Sequence, residues 1–160
     1  GFHLGEHGLW SKWTLFEEAT RVPFIICAPG IKPGVSPEPV ELVDLYPTLS
    51  ELCGLKPPAH LQGTSLVPAL SDPGKPRDRA ALTVLSDDKK VEGHSIRTTR
   101  HRYTEWSDGT RELYDHQTDP FERTNLLSGG SSGPEVAAQL RQRLAETRQR
   151  VSGGATPLRR

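Results

Sequence analysis

The sequence predicts an α/β chain that closes with a small antiparallel sheet and a terminal helix. Three observations predict it. Val22-Pro-Phe-Ile-Ile-Cys-Ala28 is a continuous apolar run with β-branched content, closed by Pro29-Gly30, the pattern of a strand buried on both faces. From residue 80 onward the apolar period changes to two. Pro134 to Val151 then carries a narrow helical stripe at Val136, Leu140, Leu144 and Val151.

Taken in order, residues 1–21 join a glycine-rich loop to a short, charged, weakly helical stretch, Thr14 to Arg21. Pro33, Gly34, Pro37 and Pro39 make residues 31–39 a loop. Leu42, Leu45, Leu49 and Leu52 recur at spacings of three and four, which predicts a helix. Pro47 is compatible with its first turn, Asp44 or Tyr46 would precede its main body, and Gly54 would stop it. Residues 55–79 are Pro-rich and polar, with apolar contacts at Leu61, Leu66 and Leu70.

Four short strands follow: Ala81–Leu85, His94–Thr99, Arg102–Trp106 and Arg111–Asp115, with Ser107-Asp-Gly-Thr110 as the last hairpin turn. Asp115 to Pro120 ends the sheet. The resulting organisation is 1–79 as the end of a main α/β domain, 80–127 as an antiparallel subdomain and 128–133 as a flexible linker. Residues 134–151 form a terminal helix and 152–160 a disordered tail.

A chain of 160 residues suffices for one ordinary domain, which buries roughly 70% of its unfolded surface. Its composition favours a modest core: 34% hydrophobic residues, 14 Pro, 15 Gly and a mean hydropathy of -0.55. Twenty basic residues balance twenty acidic ones, so no global field points to nucleic acid. No apolar run approaches the length of roughly 18 residues that a membrane span requires. Cys27 and Cys53 are too few for a disulfide framework and read as small buried hydrophobes. There is no Met in the sequence, and its abrupt start is expected of a fragment whose upstream part is missing.

The first twelve residues, Gly1-Phe-His-Leu-Gly-Glu-His-Gly-Leu-Trp-Ser-Lys12, carry the chemistry. Glycines let the backbone turn tightly and approach a ligand. Between them stand His3, Glu6 and His7, and then Lys12 between Trp10 and Trp13. A partly desolvated ammonium offsets charge developing on the leaving oxygen of a sulfate or phosphate ester. The alternative is a lysine that lays its stem on an indole ring and plays no catalytic part. His-Leu-Gly-Glu-His does not have the helical His-Glu-X-X-His spacing, so zinc binding by His3 and His7 alone is not expected. His60, His94, His101 and His116 are scattered and read as structural or solvated. Glycine-rich phosphate loops, a Gly-X-Ser-X-Gly elbow and paired-cysteine metal sites are absent from the sequence. Arg141, Arg143, Arg148 and Arg150 give the last helix a solvated basic face.

These residues resemble the type I sulfatases, in the stretch that follows that family's Asp-His metal-ligand pair. The resemblance runs through Phe16-Glu-Glu-Ala-Thr-Arg-Val-Pro-Phe24, Ala28-Pro-Gly30, Val40-Glu-Leu-Val-Asp-Leu-Tyr-Pro-Thr-Leu49 and Leu61-Gln-Gly-Thr-Ser-Leu66. It continues in His94 to Trp106, Glu112-Leu-Tyr-Asp115, Asp119-Pro120 and Asn125-Leu126. It covers about residues 1–127 and looks closest to the iduronate-2-sulfatase-like enzymes. It implies the C-terminal part of an alkaline-phosphatase-like α/β fold and a parent enzyme that hydrolyses sulfate esters, of sulfated glycans above all. The family mechanism uses a formylglycine nucleophile and a calcium ion, which hard carboxylate oxygens hold. Carried over by position, Lys12 is the catalytic and sulfate-contacting lysine, and Phe2 and His3 line the substrate pocket. Asp44 matches a recurrent family position and also reads as a helix-start residue.

The departures set the limits. The Cys-X-Pro-Ser-Arg motif that yields formylglycine is absent; Cys27-Ala-Pro-Gly30 has only its beginning. No metal ligands are expected in this chain, since the Asp-His pair would lie immediately before Gly1. The chain alone is therefore expected to be inactive and to need the missing N-terminal part of the same protein as its partner. Family habit implies export to the periplasm, extracellular space or lysosome. Two other readings stay open: a phosphonate or phosphate ester hydrolase of the same superfamily, and a non-catalytic remnant that binds sulfated glycans through Lys12, Arg97, Arg100 and Arg102.

Overall fold

A computed structural model describes residues 1–87, 90–130 and 133–153. At its centre is a four-stranded antiparallel meander: β1 Ala81–Asp87, β2 Lys90–Arg97, β3 His101–Trp106 and β4 Arg111–Asp115, in that spatial order. All four predicted strands form, β4 at its predicted bounds and the other three with shifted ends. The β3–β4 turn uses Asp108, whose carboxylate accepts from the Thr110 N–H and hydroxyl at 2.8 and 2.7 Å. Gly109 there adopts φ 87°, a conformation that favours glycine over residues with a Cβ.

Register gives the sheet two unlike faces. Ile96 pairs with Tyr103 and Tyr103 with Leu113, which aligns three apolar side chains on one face. Helix α4, Val136–Gly153, covers that face with Ala137, Leu140 and Leu144, and Leu127 completes the core. Burying each of these leucine side chains stabilises by about 1.5–3 kcal/mol. On the other face Ser95 pairs with Thr104, Thr104 with Glu112, Arg97 with Arg102 and Arg102 with Tyr114. This face is polar yet largely buried, because residues 1–21 lie over it. Leu15 is 2% exposed. A Cβ added at Gly93 would fall 2.9 Å from the Leu15 side chain and 2.8 Å from the Trp106 ring.

The helical pieces are short: α1 Glu17–Thr20, α2 Leu45–Leu52 and α3 Val67–Ser71. Gly54 stops α2 at φ 68°, with Leu55 N–H donating to Ser50 O at 2.8 Å and Gly54 N–H to Glu51 O at 3.0 Å. Asp44 opens it, buried, its carboxylate accepting from the Thr64 N–H at 2.7 Å, Arg79 Nη2 at 2.5 Å and the Glu41 N–H at 3.1 Å. Helix α3 was not evident in the Pro-rich 55–79 stretch; Pro68 sits in its first turn, where a missing N–H costs no helical bond.

Two expectations are corrected here. Val22–Ala28 forms no strand, and Ile25 is 90% exposed. A strand exists only against a neighbour, and no described segment pairs with this run. Cys27 and Cys53 are likewise exposed rather than buried. The linker is a 3-10 turn over Ser128–Gly130, with residues 131–132 outside the described residues. Of the tail predicted to be disordered, residues 154–160 also lie outside them, while Val151 and the two residues after it continue α4.

Candidate active-site loop and its ionic base

The glycine-rich segment folds into a narrow loop. His3 N–H donates to Ser11 O at 2.8 Å and Gly5 N–H to Leu9 O at 3.0 Å, joining outgoing and returning limbs. A 3-10 turn, Glu6–Gly8, forms the tip. The Leu4 N–H donates to the Glu6 carboxylate at 2.6 Å, which holds that carboxyl below its ordinary range. Lys12 lies on the returning limb, exposed and without a hydrogen-bond or ion-pair partner among the described residues. Its neighbours Trp10 and Trp13 are 72% and 68% exposed, and Phe2 is 53% exposed. Lys12 and Phe2 thus face outward on one loop, and no stacking of the ammonium on an indole is present among the described residues.

His3 lies elsewhere. Its side chain is fully buried, with Nε2 2.7 Å from Thr14 Oγ1 and Nδ1 without a partner. It fastens the start of the loop to its end. His7 also turns inward: its ring stacks on Phe16 at 3.9 Å, and Nε2 is 3.6 Å from Glu18 Oε2. Phe16 in turn leans on Tyr114 of β4, with centroids 6.1 Å apart.

Beneath the loop is a buried ionic network that the sequence did not reveal. Arg102, 2% exposed, donates to Glu122 Oε1 at 2.5 Å, to Glu17 Oε2 at 2.6 Å and to the Thr20 hydroxyl at 2.9 Å. Arg97 donates to Glu17 at 3.1 Å and to His116 Nδ1 at 3.0 Å. A guanidinium can only donate, so Nδ1 accepts and Nε2 carries the proton offered to Glu122 at 2.8 Å. The Glu17 N–H at the start of α1 donates to Glu122 Oε2 at 2.8 Å. Two guanidinium charges thus meet two carboxylates. Burial raises the Glu122 carboxyl, but the bonds from His116 and Arg102 outweigh it and hold the group below its ordinary range. Glu17 is lowered against burial in the same way, by Arg97 first and then Arg102.

Glu17, His116 and Glu122 also lie close enough to hold a metal ion. They do not suit one here. Both carboxylates are already neutralised by Arg97 and Arg102, and a hard cation such as calcium needs six to eight oxygen ligands. The arginines proposed for a glycan-binding remnant all have carboxylate partners, Arg100 on the surface and the other two within the fold. Arg102 and Arg97 belong to this network and Arg100 pairs with Asp115 at 2.6 Å, which leaves Lys12 alone of the four. The signal for the network was present in the register of Arg97 opposite Arg102, but nothing in the sequence placed Glu17 and Glu122 above that pair.

The chain as a whole, antiparallel subdomain included, has known counterparts. The family model for the N-sulphoglucosamine sulphohydrolase C-terminal region matches residues 5–150. The chain therefore belongs to the type I sulfatase family, as part of its C-terminal region, within an alkaline-phosphatase-like α/β fold. Among its relatives, a sulfatase of Formosa agariphila is 35% identical over 78% of this chain and 24% of its own length. An N-acetylglucosamine-6-O-sulfatase of Bacteroides thetaiotaomicron is 35% identical over 93% of this chain and 28% of its own. The structure of BT4656 in complex with its substrate D-glucosamine-2-N,6-O-disulfate superposes with a TM-score of 0.79 at 30% identity, covering 96% of this chain and 33% of that one. A phosphonate monoester hydrolase from Silicibacter pomeroyi superposes at 0.68 and 27% identity, covering 90% and 32%. The chain thus spans about a quarter to a third of the length of these relatives.

Proposed function

We propose that the protein to which this chain belongs hydrolyses sulfate esters of sulfated glycans, and that Lys12 is its sulfate-contacting cation within these residues. The observation that carries this reading is an exposed ammonium, unpartnered among the described residues, on a loop held from behind by His3, His7 and the Arg102 network. Lys12 would neutralise charge on the ester's bridging oxygen, and Phe2 would border the sugar. The buried imidazole of His3 would act on substrate only through the loop it closes. A calcium ion and a formylglycine, both held by parts of the protein outside residues 1–160, would supply sulfate polarisation and the nucleophile. That remainder would also be the partner that covers the outward apolar side chains of this chain, and export is the expected location.

The test is sulfate release by the full-length protein from a sulfated glucosamine or uronate. Lys12→Ala is expected to slow turnover by roughly 100- to 1,000-fold, the loss typical of one preorganised donor. Unchanged turnover would remove Lys12 from the site. The likeness to a phosphonate monoester hydrolase favours a second reading, hydrolysis of phosphonate or phosphate esters. A higher kcat/KM on a phosphonate monoester than on the matching sulfate ester would establish it instead.

A further inference from the structure

His7 sits at the tip of the loop with φ 54° and ψ 19°, a left-handed conformation unfavourable for a residue with a Cβ. Such a backbone persists where its surroundings over-determine it, and it recurs at functional sites. Here the side chain supplies the constraint. The imidazole is stacked on Phe16 at an interplanar angle of 6°, meets Glu18 at 3.6 Å and lies edge-on to the buried His3 at 5.8 Å. Phe16 immediately precedes Glu17, whose carboxylate is gripped by Arg97 and Arg102, and contacts Tyr114. His7 therefore ties the loop tip to α1 and, through α1, to the sheet. Among the described residues, the limb that carries Lys12 is otherwise fastened to its partner limb by the backbone bonds at Ser11 and Leu9 and by His3 Nε2 at the Thr14 hydroxyl.

We propose that His7 is a positioning residue for the reaction, clamping the loop tip so that the Lys12 ammonium meets the sulfate ester in one orientation. This rests on the sulfatase reading above. A misplacement of about 1 Å at a reacting group can cost on the order of 100-fold in rate, and a loop without this clamp leaves Lys12 free to move that far.

The test uses the full-length enzyme and the sulfated glucosamine or uronate named above, comparing the parent with His7→Gly, His7→Asn and Glu18→Gln. Glycine favours positive φ and asparagine tolerates it, so both variants keep the turn while removing the stack. In both, turnover is expected to fall by about 10-fold or more, with KM within about 2-fold of the parent and an unchanged or raised Tm. Lys12→Ala should then cost far less in the His7→Gly background than in the parent, because a mispositioned lysine has little left to lose. Glu18→Gln should give a smaller loss of turnover in the same direction. Unchanged turnover in the two His7 variants overturns the proposal. So does a lowered Tm with parental turnover per folded molecule, which marks a purely structural histidine. A parent that releases no sulfate fails the functional reading itself, and this proposal with it.

Discussion

The charges that matter most in this chain are those withdrawn from water. Arg102 would read from its type as a surface cation, yet its guanidinium binds Glu122, Glu17 and Thr20 out of solvent. Removing one partner of such a buried set costs about 3–5 kcal/mol, because the other charge is stranded. A more exposed pair offers a cleaner test. The hydrogen bond from Arg100 holds the Asp115 carboxyl down to about 2, with burial opposing and the Gln117 N–H adding to it. Its folded pKa lies below the ordinary 3.8, so its stabilisation is complete above 3.8 and is lost as pH falls through about 2. Asp115→Asn should lower Tm at neutral pH, and the gap from the parent should close on acidification through that window. A gap that stays constant down to the lower limit would show that ionisation of Asp115 adds no stability.

Elements meet here through contacts that leave no spare room. Gly93 of β2 lies between the Trp106 ring and Leu15, and an added Cβ would come within 3.0 Å of both. Overpacking of this kind typically costs about 1–3 kcal/mol, and relief by moving Leu15 would displace the segment that follows Lys12. Gly93→Ala in the full-length protein should therefore lower both Tm and the rate of sulfate release. Parental values of both would mean that Leu15 and Trp106 yield without disturbing the loop. The strands were legible because alternation specifies which residues share a face. Arg111 to Asp115 alternates, and it forms β4 at the expected place. Helix α4 was legible from the stripe Val136, Leu140 and Leu144; that this stripe packs on the sheet is seen only in the structure. The run Val22–Ala28 was legible only as apolar. Whether such a run is a strand depends on a neighbour, and none is present among the described residues.

At the scale of the whole molecule, α2 is turned inside out. Asp44, Pro47 and Thr48 face inward, while Leu42, Tyr46 and Leu49 are 70%, 58% and 47% exposed. Ile25 and Val35 add to the outward apolar surface at 90% and 89%. Exposed apolar area on this scale marks a surface made to be covered. Residues 1–160 produced alone should bind a hydrophobic fluorescent dye strongly, self-associate on size exclusion and release no sulfate. Weak dye binding by a stable monomer would show that this surface tolerates water. The leucine spacing that predicted α2 was read correctly as helical and said nothing about which way its stripe would point.

By itself the sequence determined the antiparallel meander, the Asp108-Gly109 turn, the terminal helix and the loop that presents Lys12. Each follows from interactions within a few residues: side-chain alternation, turn chemistry and helical spacing. Only the tertiary structure decided that Arg97 and Arg102 would be buried beneath Glu17 and Glu122, that His3 and His7 would face inward, and that the α2 leucines would face out. The physical reason is that periodicity assigns residues to a face, whereas burial depends on what covers that face. In this chain part of that cover comes from residues far away in sequence, as when Glu17 closes over Arg102, eighty-five positions on.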